Sequence, residues 1–504
     1  MDLPETANLS PPSLSGHPPR CGVVDLGSNS VRLVVFEGRG RNPLPIFNEK
    51  AVLGLGRGLQ TTGRLNETAM AQALTVMARY HAVAHAMGVG PLEVLATAAV
   101  RDAENGAAFA ASLQQCLPGV PIRILEGEQE ARLSAEGVLM GFPGADGILG
   151  DLGGGSLELV ELNQGEVGRM ASLPLGAIRL SDRAGGDVAK ARGIAEAELS
   201  RFPWLSAGKD RDLYLVGGAW RALAKIHIAQ TSYPLSIVHH YVLRRDEARD
   251  LCGLVIAATR RTLERIPGAP GKRIQDLPFA AVALRRLLRA TGARRVVFSA
   301  NGMREGWYAR LLPPETLRLD PLLSAGQEMA ARYGRDTAMP QALVDWTAPL
   351  WNQESPEDTA LRQAACWLSD VGSHDHPDYR AEQSFLRVLR QPGIGLDHHA
   401  RAFLALATAL RYEPENDAPF LTTARMLLDT GAMRRAEMLG AVMRLAYTLS
   451  GGTPALLART SLRVSGGTLT LRLAGSGVFA GDSVQRRVEA LAAAYGLEGI
   501  VEVG

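Results

Sequence analysis

The sequence predicts an α/β protein of two similar halves followed by a separate all-α domain. Three observations carry that expectation. Apolar strand-like runs alternate with helically spaced apolar residues from residue 21 to about 312. The hexamer Asp25-Leu-Gly-Ser-Asn-Ser30 recurs as Asp151-Leu-Gly-Gly-Gly-Ser156, each copy between two apolar strands. Past Pro313 the helical period takes over.

Taken in order, residues 1–20 are rich in Pro and Ser, lack an apolar signal core, and read as a flexible tail. CGVVDLGSNSVRLVVFEG (21–38) reads as strand, tight polar turn and strand. Residues 65–88 have helical spacing, with Asn66 as N-cap. PLEVLAT is a strand, GAAFAASLQQCLPG a helix closed by Pro-Gly, PIRILEG a strand, and a helix opens at Glu128. GFPGADG (141–147) reads as a linker, which sets a first lobe at 21–143 and a second at 144–312. In the second, GILGDLGGGSLELVELNQGEV repeats the strand–turn–strand unit, and DLYLVGGAWRALAKI and ARRVVFSANGMREGW each run strand, turn, helix. In 313–504, LSAGQEMAARYG, TAPLWNQ, TALRQAACWLSDVG, HHARAFLALATALRY and AEMLGAVMRLAYTLSGG read as helices. From about 455, a hairpin around Gly466-Gly467 and a helix from Asp482 form a small α+β appendage.

Bulk properties remove several function classes. The formal net charge of +2 leaves no general attraction for nucleic acid, so an anion site must be a local concentration of Arg and Lys. Cys21, Cys116, Cys252 and Cys366 are scattered without a C-x-x-C pair, which suits a reducing cytoplasmic compartment. No apolar run reaches the roughly 18 residues needed to span a bilayer.

The duplicated loop points to phosphate chemistry. Glycine lets successive backbone N–H groups turn toward a bound phosphate, and such a row is an anion-binding nest. An Asp at the strand end can hold Mg²⁺ or its water shell, because Mg²⁺ takes one or two carboxylates and completes its coordination with water and phosphate oxygens. One Asp-Gly turn is ordinarily only a turn; two copies of Asp-Leu-Gly-x-x-Ser in two similar halves are not ordinary. Gly271-Lys272-Arg273 lacks the upstream glycine and the Ser/Thr of a P-loop. Glu130 lies in the first turn of a helix, where the dipole favours an ionised carboxylate suited to activating water; Glu126 and Glu128 answer the same argument. Arg101, closing ATAAVRDA after a strand, is a candidate phosphate clamp.

VVDLGSNSVRLVVFE, ATAAVRDAENG, ILEGEQEARLSAEGV, DLGGGSLELVE, SLPLGAIRLSD and YLVGGAWRALAKI, in this order, resemble the exopolyphosphatase/guanosine pentaphosphatase family, within the acetate and sugar kinase/Hsp70/actin superfamily. The resemblance covers about residues 20–312 and implies two ribonuclease H-like lobes with the site between them. It implies metal- and water-positioning roles for Asp25 and Asp151, a base at Glu130, and a second acidic position at Glu158 that joins the two Asp residues as a metal ligand. Phosphate contacts would come from Ser28, Asn29, Ser30, Arg101, Gly153, Gly154, Gly155, Ser156, Gly218 and Ala219. Leu157 departs from the common Thr, and Arg32 occupies a variable position where it adds charge to the cleft.

The helical domain resembles the HD-like domain of longer members, with Ser369-Asp370 where His-Asp is expected and His374 and His376 nearby. That ligand set reads as incomplete, so the domain is expected to be structural or substrate-holding, with His398-His399 on a helix surface. The resemblance implies a homodimer and a Mg²⁺-dependent exopolyphosphatase releasing orthophosphate from inorganic polyphosphate. Guanosine pentaphosphate is the alternative substrate, ahead of a sugar or carboxylate kinase or an inactive scaffold. ALRRLLRATGARR (283–295) and Arg260-Arg261 are candidates for a basic path along which a polyanion would lie.

Overall fold

A computed structural model describes residues 18–504 apart from 270, 272–273, 352 and 476–480. Most of the tail expected at 1–20, and Lys272-Arg273 of the rejected P-loop, lie outside the described residues. The chain forms two compact units, Met1–Leu317 and Arg318–Gly504.

The first unit contains two sheets with one plan. In the first sheet, β1 (Arg20–Leu26), β2 (Ser30–Glu37) and β3 (Leu44–Val52) form an antiparallel meander; β4 (Val89–Ala96) and β5 (Ile122–Ile124) extend it in parallel, in the order β3-β2-β1-β4-β5. In the second, β6 (Gly147–Leu152), β7 (Leu157–Asn163) and β8 (Glu166–Leu173) repeat the meander, and β9 (Asp212–Val216) and β11 (Arg295–Phe298) repeat the parallel extension. β10 (Tyr241–Arg244) adds an antiparallel edge, giving β10-β11-β9-β6-β7-β8. The duplication extends to single residues. Asp25 pairs in register with Arg32, and Asp151 with Glu158. The Gly27 N–H donates to the Ser30 carbonyl at 3.1 Å, and the Gly153 N–H to that of Ser156 at 3.0 Å.

Local chemistry accounts for the helix ends. Asn66 accepts from the Ala69 N–H at 2.9 Å, capping Glu67–Ala86 as its position predicts. The Gly127–Gly141 helix starts where the Gln129 side chain accepts from the Glu126 N–H at 3.0 Å. The β3, β8 and β10 strands were not legible as separate elements in the sequence.

Two helices leave their own lobes. Gly127–Gly141 follows β5, yet Ala131, Ala135 and Val138 pack against Leu149, Val160, Leu162, Tyr214 and Val297 of the second sheet. Met303–Ala309 follows β11, yet serves the first lobe. Tyr308 stacks on Phe36 with centroids 5.0 Å apart and donates to the Gly40 carbonyl at 2.9 Å; the Trp307 indole donates to Glu93 at 2.6 Å. The two helices cross through glycine. A Cβ on Gly137 would lie 1.9 Å from the Gly302 carbonyl oxygen, and one on Gly306 would lie 1.9 Å from that of Leu133.

The second unit contains helices Pro321–Tyr333, Met339–Thr347, Pro356–Leu368, Arg380–Leu389, His398–Leu410 and Thr430–Ser450. Asp320, Ser355, Asp397 and Asp429 cap four of them through their side chains. TAPLWNQ is not a helix: the α-helix ends at Thr347, and only a 3-10 turn, Ala348–Leu350, follows. His398 is buried, not on the surface. The appendage pairs β12 (Thr460–Ser465) and β13 (Thr468–Leu473) as the expected hairpin, and adds β14 (Glu498–Val503) parallel to β13 after the Asp482–Ala494 helix. Fully buried Arg401 donates to the carbonyls of Leu389, Gln391, Gly393 and Leu396, holding the loop before its own helix.

Two stability predictions follow from these contacts. Gly306→Ala forces the crossing apart and should cost about 1–3 kcal/mol, read as a lower midpoint in denaturant unfolding. Arg401→Met strands four carbonyls and should cost roughly 2–4 kcal/mol, with faster amide exchange across 389–401.

Candidate active site

The repeated loops meet. A Cβ on Gly155 would lie 2.7 Å from Ser28 Oγ and 3.1 Å from Ala98 Cβ, and one on Gly154 would lie 3.1 Å from Ser28 Cβ and 3.5 Å from the Asn29 nitrogen. The loops are thus packed together, with no gap between their tips. Both have their carbonyls tied back. Those of Ser28 and Asn29 accept from Gly56, Leu53 and Gly54, and those of Gly153 and Gly154 from Ala177, Ile178 and Arg179. Among the described residues this leaves the N–H groups of Ser28, Asn29, Gly154 and Gly155 as unspent donors. Gly218 and Ala219 begin the helix one residue beyond Val216, the residue level with Asp151 in the parallel pair β6–β9.

Four carboxylates gather beside these loops: Asp25 and Asp151 at the ends of β1 and β6, Glu158 on β7, and Glu130 in the first turns of its helix. Glu158 is 1% exposed and Glu130 8%; the Asp25 side chain retains 31%. Glu158 accepts from Ser172 at 2.9 Å, and Asp151 accepts a short bond from Ser134, one turn after Glu130. One oxygen each of Glu130 and Glu158 is buried without a hydrogen bond. Arg101 donates to the Leu125 carbonyl at 2.8 Å and to Asp102 at 3.1 Å, and stands 3.8 Å from Glu130.

All four acids hold their protons more tightly than usual. Burial raises Glu130 well above the ordinary carboxyl range, and the charges of Glu158 and Asp151 raise it further. Glu158 is pushed up to about 8 by burial and then by Asp151; Asp25 and Asp151 are raised by burial first. This corrects the expectation that the helix dipole keeps Glu130 ionised. A helix N-terminus contributes about 0.3–1 kcal/mol, whereas full burial shifts a carboxyl by up to about 3–5 pKa units at ~1.4 kcal/mol each. Desolvation wins, and it raises the proton affinity of Glu130, which is the direction a general base needs.

Among the described residues no group of three or more His, Cys, Asp or Glu is disposed to hold a metal ion. The arrangement fits an ion carried by one or two of these carboxylates and completed by phosphate and water, the usual manner of Mg²⁺. In the helical unit, Asp370 is taken up by Arg335 and Arg411, and Ser369 shares a bond with Tyr447.

Sequence reasoning selected neither Arg221 nor Arg304, although both lie in stretches it quoted. Arg304 is 8% exposed, with Nε 3.9 Å from an Asp25 oxygen. Arg221 donates to the Ala300 carbonyl at 3.0 Å. Ser134 and Ser172 were also passed over, because a serine's role depends on which acid it faces. Five arginines of the proposed basic path have partners: Arg286 and Arg289 pair with Glu196, Arg294 and Arg295 with Asp212, and Arg260 with Glu264.

The sequence pattern described as "Ppx/GppA phosphatase family" matches residues 34–315, and "Exopolyphosphatase, C-terminal" matches 322–499. The chain belongs to the Ppx/GppA phosphatase family. It is 30% identical over 308 residues to Exopolyphosphatase 1 of Mycobacterium tuberculosis, covering 59% of this chain and 89% of that protein. It is 26% identical over 443 residues to Retrograde regulation protein 2 of Saccharomyces cerevisiae, covering 78% and 72%. The crystal structure of an exopolyphosphatase from Cytophaga hutchinsonii superposes with a TM-score of 0.54 at 24% identity, over 58% of this chain and 99% of that one. That likeness shows the shared two-lobed α/β fold. No described helix is long and apolar enough to cross a membrane.

The loop contact yields a test of its own. A Cβ on Gly176 would fall 2.4 Å from the Gly154–Gly155 backbone. Gly176→Ala should therefore speed amide exchange at 153–156 while β6 and β9 stay protected.

Proposed function

We propose that the chain is an exopolyphosphatase that removes terminal orthophosphate from inorganic polyphosphate by attack of water. The observation that carries this reading is the buried carboxylate oxygen of Glu130, free of any hydrogen bond, beside two donor-lined loops of matching design. Glu130 takes the proton of a water as its oxygen bonds to the terminal phosphorus; the bridging P–O bond breaks, and the shortened chain leaves as the oxyanion. The N–H groups of Ser28, Asn29, Gly154 and Gly155 receive charge on the phosphoryl oxygens, and Arg101 holds the terminal group beside the base. Ser134 and Ser172 keep Asp151 and Glu158 in place. Asp25 and Asp151 would hold Mg²⁺, which when bound supplies the positive charge that four acids and a polyanion together require.

In the same reading the helical unit is HD-like and non-catalytic, because Asp370 is neutralised by two arginines in the place a metal would need. The enzyme is taken to be a cytoplasmic homodimer, checked by sedimentation equilibrium.

Phosphate release measured side by side from long polyphosphate, short polyphosphate and guanosine pentaphosphate is expected to rank long polyphosphate first. Guanosine pentaphosphate ranking first would reassign the substrate, and transfer from ATP to sugar or acetate would reassign the reaction. Glu130→Gln should lower kcat by about 10²–10⁴-fold; a fully active variant would remove the base from this role.

A further inference from the structure

The carboxylate row has cations at both ends. Arg101 stands at the Glu130 end, 3.8 Å away. Arg304 stands at the Asp25 end, 3.9 Å away, and Arg221, on a different helix of the second half of the unit, acts on Asp151, as does Arg304. Neither guanidinium is used up by the protein. Arg304 is 8% exposed, and at 3.9 Å its Nε is too far from Asp25 for a hydrogen bond. Arg221 spends one donor, on the Ala300 carbonyl. The charges of Arg304 and Arg32 act against that of Arg221, while those of Glu305 and Asp151 favour it. The effect is visible on Arg221, whose pKa is pushed down to about 10 by burial and then by Arg304 and Arg32. A further anion joining the two arginines would offset the cost of their burial.

Both cations are rigidly mounted. The Ala300 N–H donates to His239 Nδ1 at 3.2 Å while its carbonyl receives Arg221. Ser299 Oγ closes the same turn by donating to the Asn301 carbonyl and accepting its N–H. The Gly302 N–H is held by Glu305 at 2.8 Å, and the glycine crossing fixes the start of the Arg304 helix to the Glu130 helix. Fixed donors aimed at one place cost no reorganisation when charge arrives.

We propose that Arg221 and Arg304 form a second phosphate seat, which holds the phosphate group next behind the one attacked. The terminal group then lies between Arg101 and Glu130, and the substrate runs along the carboxylates toward Asp25. The seat neutralises the oxyanion of the departing chain. This rests on the exopolyphosphatase reading for its place in the reaction, but the seat itself is a binding site for any linear oligophosphate.

Binding of tripolyphosphate with Mg²⁺ is measured by calorimetry in a Glu130→Gln parent, where the ligand is not consumed. Adding Arg304→Gln or Arg221→Gln is expected to weaken binding about tenfold to a hundredfold; Arg→Lys at either position should recover part of it. Orthophosphate, which fills one position only, should bind all variants alike. A natively folded Arg→Gln variant that binds tripolyphosphate as tightly as the parent overturns the seat, and because the seat needs both cations, either position decides. The two readings fail separately. If the unsubstituted enzyme releases no phosphate while tripolyphosphate affinity depends on Arg221 and Arg304, the seat stands and the exopolyphosphatase reading falls. If it releases phosphate and the Gln variants bind tripolyphosphate like the Glu130→Gln parent, the reverse holds.

Discussion

The close crossing of two exchanged helices is the constraint on which the site depends. Gly127–Gly141 brings Glu130 and Ser134 to the second sheet, and Met303–Ala309 brings Arg304 back toward Asp25 on the first. Where they touch, backbone lies on backbone at Gly137 and Gly306, with no room for a methyl group on either. Side chains between the helices would have made the separation adjustable; their absence makes it fixed. The distance between the base and the opposite wall of the site is therefore set by main-chain contact, which is stiffer than side-chain packing.

From that constraint the electrostatics follow. Each half supplies one strand-end Asp, and the exchanged helix adds a Glu to the second half's pair, Asp151 and Glu158. Burial raises the proton affinity of all four acids, and the negative field adds to it at Glu130, Asp151 and Glu158. Such a site is unsuited to an anion by itself. It becomes suited once guanidiniums and a divalent ion balance it, so one local excess of charge explains both the serines that hold the acids and the arginines that ring them.

The sequence made the duplicated features legible because glycine, Asp and strand periodicity report local geometry. The Asp25 and Asp151 loops, the Asn66 cap and the hairpin at Gly466-Gly467 are all decided within a few residues. The family resemblance chose Glu130 among three acids, something the dipole argument could not do and whose protonation that argument misjudged. Arg221 and Arg304 were hidden because arginine is ordinary on any helix, and only the exchange of helices brings these two to the site. The basic run at 283–295 shows the converse, since the partners of four of its arginines, Glu196 and Asp212, are distant in sequence. TAPLWNQ failed as a helix since its proline follows a helix that has already ended.

The helix exchange also bears on the order in which the chain can mature. The first sheet is complete once β5 has emerged from the ribosome, but Trp307 and Tyr308, which cover it near Glu93 and Phe36, are translated only after the whole second sheet. Meanwhile the Gly127–Gly141 helix waits with an apolar face whose sheet does not yet exist. A nascent chain must carry both uncovered surfaces until residue 309 is free to fold. The two halves, alike in plan, therefore reach their final state together.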